Sequence, residues 1–122
     1  MPITTYKELI VWQKAVELVN AIYEICDQFP AKERFSLISQ MLRAVISIPS
    51  NIAEGWGRNH RVEFIRYLSI SFGSSCELET QLIICKEQYR TIDYSKADRL
   101  LNEVQKMLTS FIKSLKNHQQ NW

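Results

Sequence analysis

At 122 residues the chain has room for a single domain, residues 1–122, able to bury roughly two-thirds of its unfolded surface without metal or disulfide staples. Apolar residues at 46% and charged residues at 23% are ordinary for a soluble globular protein, and only three glycines and three prolines speak against a strand-and-turn architecture. A formal net charge of +2 names no partner, because a nucleic-acid claim needs local clustering.

Four segments carry helical periodicity. The first is predicted from about Tyr6 to Gln28, where Leu9, Trp12, Val16, Val19, Tyr23 and Cys26 recur at the spacing of one packed helix face. Thr5 with Glu8 reads as a capping box, and Phe29-Pro30 ends the segment. The second is predicted from about Lys32 to Trp56, with Phe35, Ile38, Met41, Val45, Ile48 and Ile52 in register. Pro49 inside it predicts a kink rather than a break, and Gly55 and Gly57 mark the end.

The third helix is predicted from about Arg61 to Gln88, with Phe64, Ile65, Leu68, Phe72, Leu78, Leu82, Ile83 and Cys85 apolar. Small residues between Ser69 and Cys76 let a neighbouring helix come close. The fourth is predicted from about Lys96 to Lys116, where Ala97, Leu101, Val104, Leu108, Phe111 and Leu115 repeat, capped by Ser95 with Asp98 in the first turn. Short connections imply an all-α, antiparallel up-down-up-down four-helix bundle. In that topology the start of the first helix, the second-to-third connection and the tail of the fourth share one end.

Cys26, Cys76 and Cys85 are odd in number and lack C-x-x-C spacing, which fits free thiols in a reducing compartment. Met1 to Leu9 has no apolar signal region, and no apolar run approaches the ~18 residues of a membrane span. A cytoplasmic protein with no membrane partner is expected.

Catalytic chemistry is thinly supplied. A di-iron site in such a bundle needs inward Glu-x-x-His pairs, but His60 and His118 do not follow glutamates at that spacing. Clustered zinc ligands, a phosphate loop and a nucleophile motif are missing from the sequence, so neither an enzyme nor a cofactor is expected.

Charge and apolar placement say more. At the end holding Lys7, Arg58, Arg61, Lys113 and Lys116, five bases meet the acids Glu8 and Glu63, with His60 and His118 nearby. The opposite end is balanced. Lys7, Arg58, His60, Arg61, Arg66, Lys113 and Lys116 are therefore the candidate RNA- or DNA-binding residues. The competing view is a solvated helix end whose lysines complement the helix dipole. If the end binds RNA, substituting Arg58, Arg61 and Lys113 should weaken the complex.

On the first helix Leu9, Val11, Trp12, Ala15, Leu18, Ile22, Ile25 and Phe29 spread over an arc of roughly 200°, and the second helix is similarly broad. Excess apolar surface on two adjacent helices points to self-association. The second helix also carries a polar stripe, Ser36, Gln40, Arg43, Ser47, Ser50, Asn51 and Glu54, with Arg43 able to pair with Glu77 or Glu79. Trp12, Gln40, Arg43, Ser47, Asn51, Glu54 and Glu77 form the candidate assembly set. A polar network inside one bundle, beside Pro49, explains the stripe equally well.

Several runs together resemble a known family: Leu9-x-x-Trp12-Gln13-Lys14-Ala15-x-Glu17-Leu18, Phe29-Pro30-x-x-Glu33-Arg34-x-x-Leu37-x-x-Gln40-x-x-Arg43-Ala44, the stretch from Ser47 to Arg58, Phe64-Ile65-x-x-Leu68, and Gly73-Ser74-x-x-Glu77-Leu78-Glu79. They are similar to the bacterial four-helix bundles of the 23S rRNA intervening-sequence proteins, a family that includes the accessory variability determinant of diversity-generating retroelements. The resemblance spans nearly the whole chain. It implies a bundle that assembles into a ring, commonly a homopentamer, with no catalytic residue to carry over. Retroelement members bind nucleic acid and a reverse transcriptase through a basic surface, so these are the partners the resemblance implies. One departure is Asn59-His60-Arg61, where relatives often carry a Ser or Thr cap.

Overall fold

The computed structural model describes residues 2–117, so His118 lies outside the described residues. It is all-α, with α1 at Ile10–Cys26, α2 at Leu37–Gly57, α3 at Arg61–Gln88 and α4 at Ser95–Asn117. Short 3-10 turns occupy Tyr6–Glu8 and Ala31–Glu33. Each helix packs on two others: α1 on α2 and α4, α3 on α2 and α4. With short connections between successive helices, that cyclic neighbour pattern is the up-down bundle expected from the periodicity.

The core is one cluster in which Leu18, Ile22, Met41, Val45, Ile48, Ile52, Phe64, Leu68, Leu78, Leu82, Leu100 and Leu108 are sealed from water. The face of α1 that seeks this core is Val11, Ala15, Leu18, Ile22 and Ile25. The alternative stripe read from the sequence is not the packed face. Of its members Leu9, Trp12, Val16 and Val19 are only half-buried and Tyr23 is exposed, while Cys26 alone is buried in the core. Both stripes satisfy helical spacing, and α2 and α4 on either flank decide which one turns inward.

Several helix ends differ from expectation. Thr5 and Glu8 do cap, but they cap the 3-10 turn and not α1: Thr5 Oγ1 accepts from the Lys7 amide at 3.4 Å, and Glu8 Oε1 accepts from the Thr4 amide at 2.8 Å. Leu9 is extended (ψ 125°), so α1 starts at Ile10. Likewise α2 starts at Leu37, after Ser36 bonds back to the Glu33 carboxylate at 2.8 Å. Phe35 therefore precedes the helix and is 89% exposed rather than in register with the core.

α2 runs through Pro49 without a break, its ring buried. Its end is set by Asn59, the one described non-glycine residue with positive φ (54°), and not by Gly55 or Gly57, which are both helical. Asparagine tolerates this left-handed conformation because its short polar side chain can bond locally. α3 starts at Arg61 as expected, without a side-chain cap from His60. At α4, Asp93 is the acceptor: its Oδ1 takes the Ser95 amide at 2.9 Å and hydroxyl at 2.7 Å. Ser95 is the first helical residue rather than the cap.

The α2–α3 seam is the closest in the bundle. Gly55 lies so near α3 that a Cβ there would sit 2.7 Å from Tyr67 Cβ. The small residues of α3 serve this seam, with Ser71 Oγ donating to the Ile48 carbonyl at 2.9 Å and Ser74 Oγ meeting Ser47 Oγ at 2.8 Å. At the opposite end the Tyr89 hydroxyl donates to Glu33, and the Phe29 and Tyr89 rings stack with centroids 4.9 Å apart. That bond holds the Glu33 carboxyl below the usual glutamate range and pushes the Tyr89 hydroxyl up to about 12. The Tyr94 hydroxyl, 2.9 Å from the Tyr89 carbonyl and 3.1 Å from that of Cys85, ties down the α3–α4 connection.

Cys26 and Cys85 are buried, and burial pushes their thiols up to about 11 and about 12; Cys76 is exposed on α3. Only the thiolate reacts with a disulfide reagent. A thiol assay on the folded protein should therefore count one reactive cysteine per chain, rising to three after denaturation. Loss of the fast-reacting thiol in Cys76→Ser checks the assignment.

No described helix is long and apolar enough to cross a membrane.

Candidate nucleic-acid interface

The bundle brings the candidate basic residues from three elements to one end. Arg61 Nη1 donates to the Leu115 carbonyl at 3.4 Å, joining the start of α3 to the last turn of α4. Phe64 and Phe111 meet edge to face, centroids 5.2 Å apart, below that junction. Leu9, Ile10 and Val11 line a groove with Met107, Phe111 and Ser114, so the start of α1 lies beside the same end of α4. Lys7 is in the preceding turn, its carbonyl held by Gln13 Nε2 at 2.9 Å.

The seven candidates are not equivalent. Arg58 Nη2 is 2.9 Å from both Glu54 Oε2 and the Tyr67 hydroxyl, and its guanidinium lies over the Tyr67 ring at 5.3 Å. Arg66 reaches Glu63 at 3.3 Å and covers the Tyr67 ring at 4.6 Å. The bonds to Glu54 and Glu63 hold both guanidinium groups above their ordinary pKa, and Arg66 in turn holds Glu63 below the glutamate range. Tyr67, unremarked in the sequence, is thus gripped between two arginines, each matched by a carboxylate. The hint was there: Glu54 and Arg58 are four apart, Glu63 and Arg66 three apart, both helix-face spacings. Being exposed, these ion pairs add little stability.

Arg61 is committed to a helix end. Lys7, His60, Lys113 and Lys116 are exposed, and the three lysines have no carboxylate partner among the described residues. Lys113 and Lys116 border a groove between α3 and α4 that also takes in Ser69, Phe72, Thr109 and Ile112, none of them among the candidate binding residues read from the sequence. Missing from that reading of the end, too, was Glu54, which offsets Arg58.

The assembly set divides. Ser47, Asn51 and Glu54 serve the bundle itself: Asn51 Nδ2 donates to the Ser47 carbonyl at 2.8 Å and Oγ at 2.9 Å, Ser47 meets Ser74, and Glu54 binds Arg58 and Tyr67. That half of the stripe is the intra-bundle network. Trp12 is half-buried, edge-on to Tyr6 with centroids 5.3 Å apart. Gln40, Arg43 and Glu77 are exposed, and Arg43 forms no ion pair with Glu77 or Glu79; Glu79 accepts instead from Gln105 at 3.3 Å. Large exposed apolar side chains occur at Ile10, Tyr23 and Ile46, and also at Val62, Ile70, Ile83 and Ile84 on α3. The excess is therefore not confined to the first two helices.

No group of three or more His, Cys, Asp or Glu that could hold a metal occurs among the described residues. The family model described as "23S rRNA-intervening sequence protein" matches residues 7–110. The chain belongs to this family. A solved structure of similar shape is that of a protein of unknown function from the S23 ribosomal protein family of Bacteroides thetaiotaomicron, with a TM-score of 0.76 and 26% identity. The match covers 84% of this chain and 98% of that one. A comparison with curated proteins finds no match.

Proposed function

We propose that this family member is a non-catalytic, self-assembling bundle that binds nucleic acid through its basic end. One observation carries the reading: Lys7, Lys113 and Lys116, together with His60 and Arg61, gather at one end, and among the described residues no carboxylate is paired to the lysines. Arg58 and Arg66 add charge beside them, though each is offset by its glutamate. The family's name connects its members with intervening sequences of 23S rRNA, so RNA is the first ligand to test. Exposed Ile10, Tyr23, Phe35 and Ile46 support self-association, which multiplies the field of one basic end by the number of copies. A ring of five is the form the family resemblance favours.

Light scattering should give a mass several times that of one chain. Arg58 and Arg61 are poor test positions, because each also holds structure. The triple variant Lys7→Ala, Lys113→Ala, Lys116→Ala removes charge alone. Fluorescence anisotropy with structured RNA should show at least about tenfold weaker binding and a shallower salt slope, with the oligomer mass unchanged. Equal affinity of the triple variant and the parent would sink this surface. Assembly through Gln40, Arg43 and exposed Ile84, with no RNA shifted at low salt, would instead favour a protein-scaffolding ring.

A further inference from the structure

We propose that the short groove between α3 and α4 seats one unpaired nucleotide of a single-stranded RNA, its base against Phe72 and Ile112 and its flanking phosphates on Lys113 and Lys116. The inference rests on the nucleic-acid reading above and says which form of nucleic acid this end prefers. Phe72 and Ile112 are half-buried and packed against the core, giving an apolar floor. Ser69, Thr109, Lys113 and Lys116 are exposed around it. An aromatic side chain beside cations is how single strands are held without sequence readout, since every base has a stacking face. A duplex hides its base faces and offers this floor nothing.

The groove's length argues against a peptide. Towards the other end of the seam Gln105 Nε2 reaches Ser75 Oγ at 3.2 Å and Glu79 Oε1 at 3.3 Å, closing it off. Beyond that bridge lies a separate groove, bordered by Glu79 and by the Lys86–Asp98 ion pair, which repel or ignore an anion. Two apolar side chains remain, room for a ring but not for the three or four anchors of an amphipathic helix. One term opposes anion binding: the end of α4 carries roughly half a negative charge on its free carbonyls. Arg61 donates to one of these, at Leu115, and offsets part of it, leaving the two lysines for phosphate.

The test compares a labelled single-stranded RNA with a duplex of equal length on the full chain at low salt. The single strand should bind at least about tenfold more tightly. Phe72→Leu keeps the apolar floor and removes the ring; it should abolish most of that preference while leaving duplex affinity unchanged. Thr109→Glu, at an exposed position that cannot disturb the core, should weaken the single strand through its carboxylate. Circular dichroism and melting confirm that both variants fold. Equal binding of strand and duplex, or a preference unmoved by both variants, overturns the groove and leaves the charge reading standing. Failure of both RNAs to bind overturns the proposed function itself. Protection of Lys113 and Lys116 from acetylation by an acidic apolar peptide but not by RNA overturns the inference in favour of a protein partner.

Discussion

Phe64→Ala is expected to destabilise the protein by about 3–5 kcal/mol, lowering the melting temperature by roughly 12–20 °C. Phe64 is sealed from water one turn into α3, directly beneath the basic end. Its ring meets Phe111 of α4 edge to face at 5.2 Å and Trp56 of α2 at 6.2 Å, so three helices close over it. Truncation removes the buried ring and both aromatic contacts at once. The cavity cannot collapse cheaply, because its walls belong to three different helices. Chemical denaturation of the variant and parent measures the loss. A change below about 1 kcal/mol would mean that the aromatic junction does not organise this end.

Gly55 and Gly57, two residues apart at the end of α2, should respond to alanine with opposite signs. Both are helical, so alanine gains up to about 1 kcal/mol of helix propensity at either position. At Gly57 a Cβ meets nothing within 4 Å, and that gain should appear in full. At Gly55 the same atom would lie 2.7 Å from Tyr67 Cβ, 3.0 Å from Phe64 Cδ1 and 3.5 Å from Phe64 Cα. Tyr67 Cβ moves only with its backbone, so α3 must shift. Overpacking of this kind costs about 1–3 kcal/mol and outweighs the propensity gain. Thermal melts of the two single variants settle the signs, and stabilisation by Gly55→Ala would contradict the close α2–α3 seam. The shift also loosens Tyr67 between Arg58 and Arg66.

Helix number, order and antiparallel packing were legible in the chain because apolar spacing, sparse glycine and proline, and short connections all act locally. The run Ser47 to Arg58 carried the family likeness for a physical reason that emerged only with neighbours in place. Ser47 and Gly55 are small where α3 approaches, and Asn51 bonds back across one turn. The gathering of Arg61 and the α4 lysines at one end also followed from topology.

Other features depended on partners distant in sequence. The inward stripe of α1 was ambiguous, since two stripes share helical spacing and only burial between α2 and α4 separates them. Arg58 and Arg66 read as free charge until Glu54, Glu63 and Tyr67 stood beside them. The groove around Phe72 and Ile112 has no local signature at all, because its two sides come from helices that meet only in the folded bundle. By itself the sequence determined the elements, their order and the end at which the lysines gather, all consequences of short-range spacing. Which of those charges stay free, and which apolar faces stay open, was decided by the tertiary structure, because pairing and burial are properties of neighbours rather than of residues.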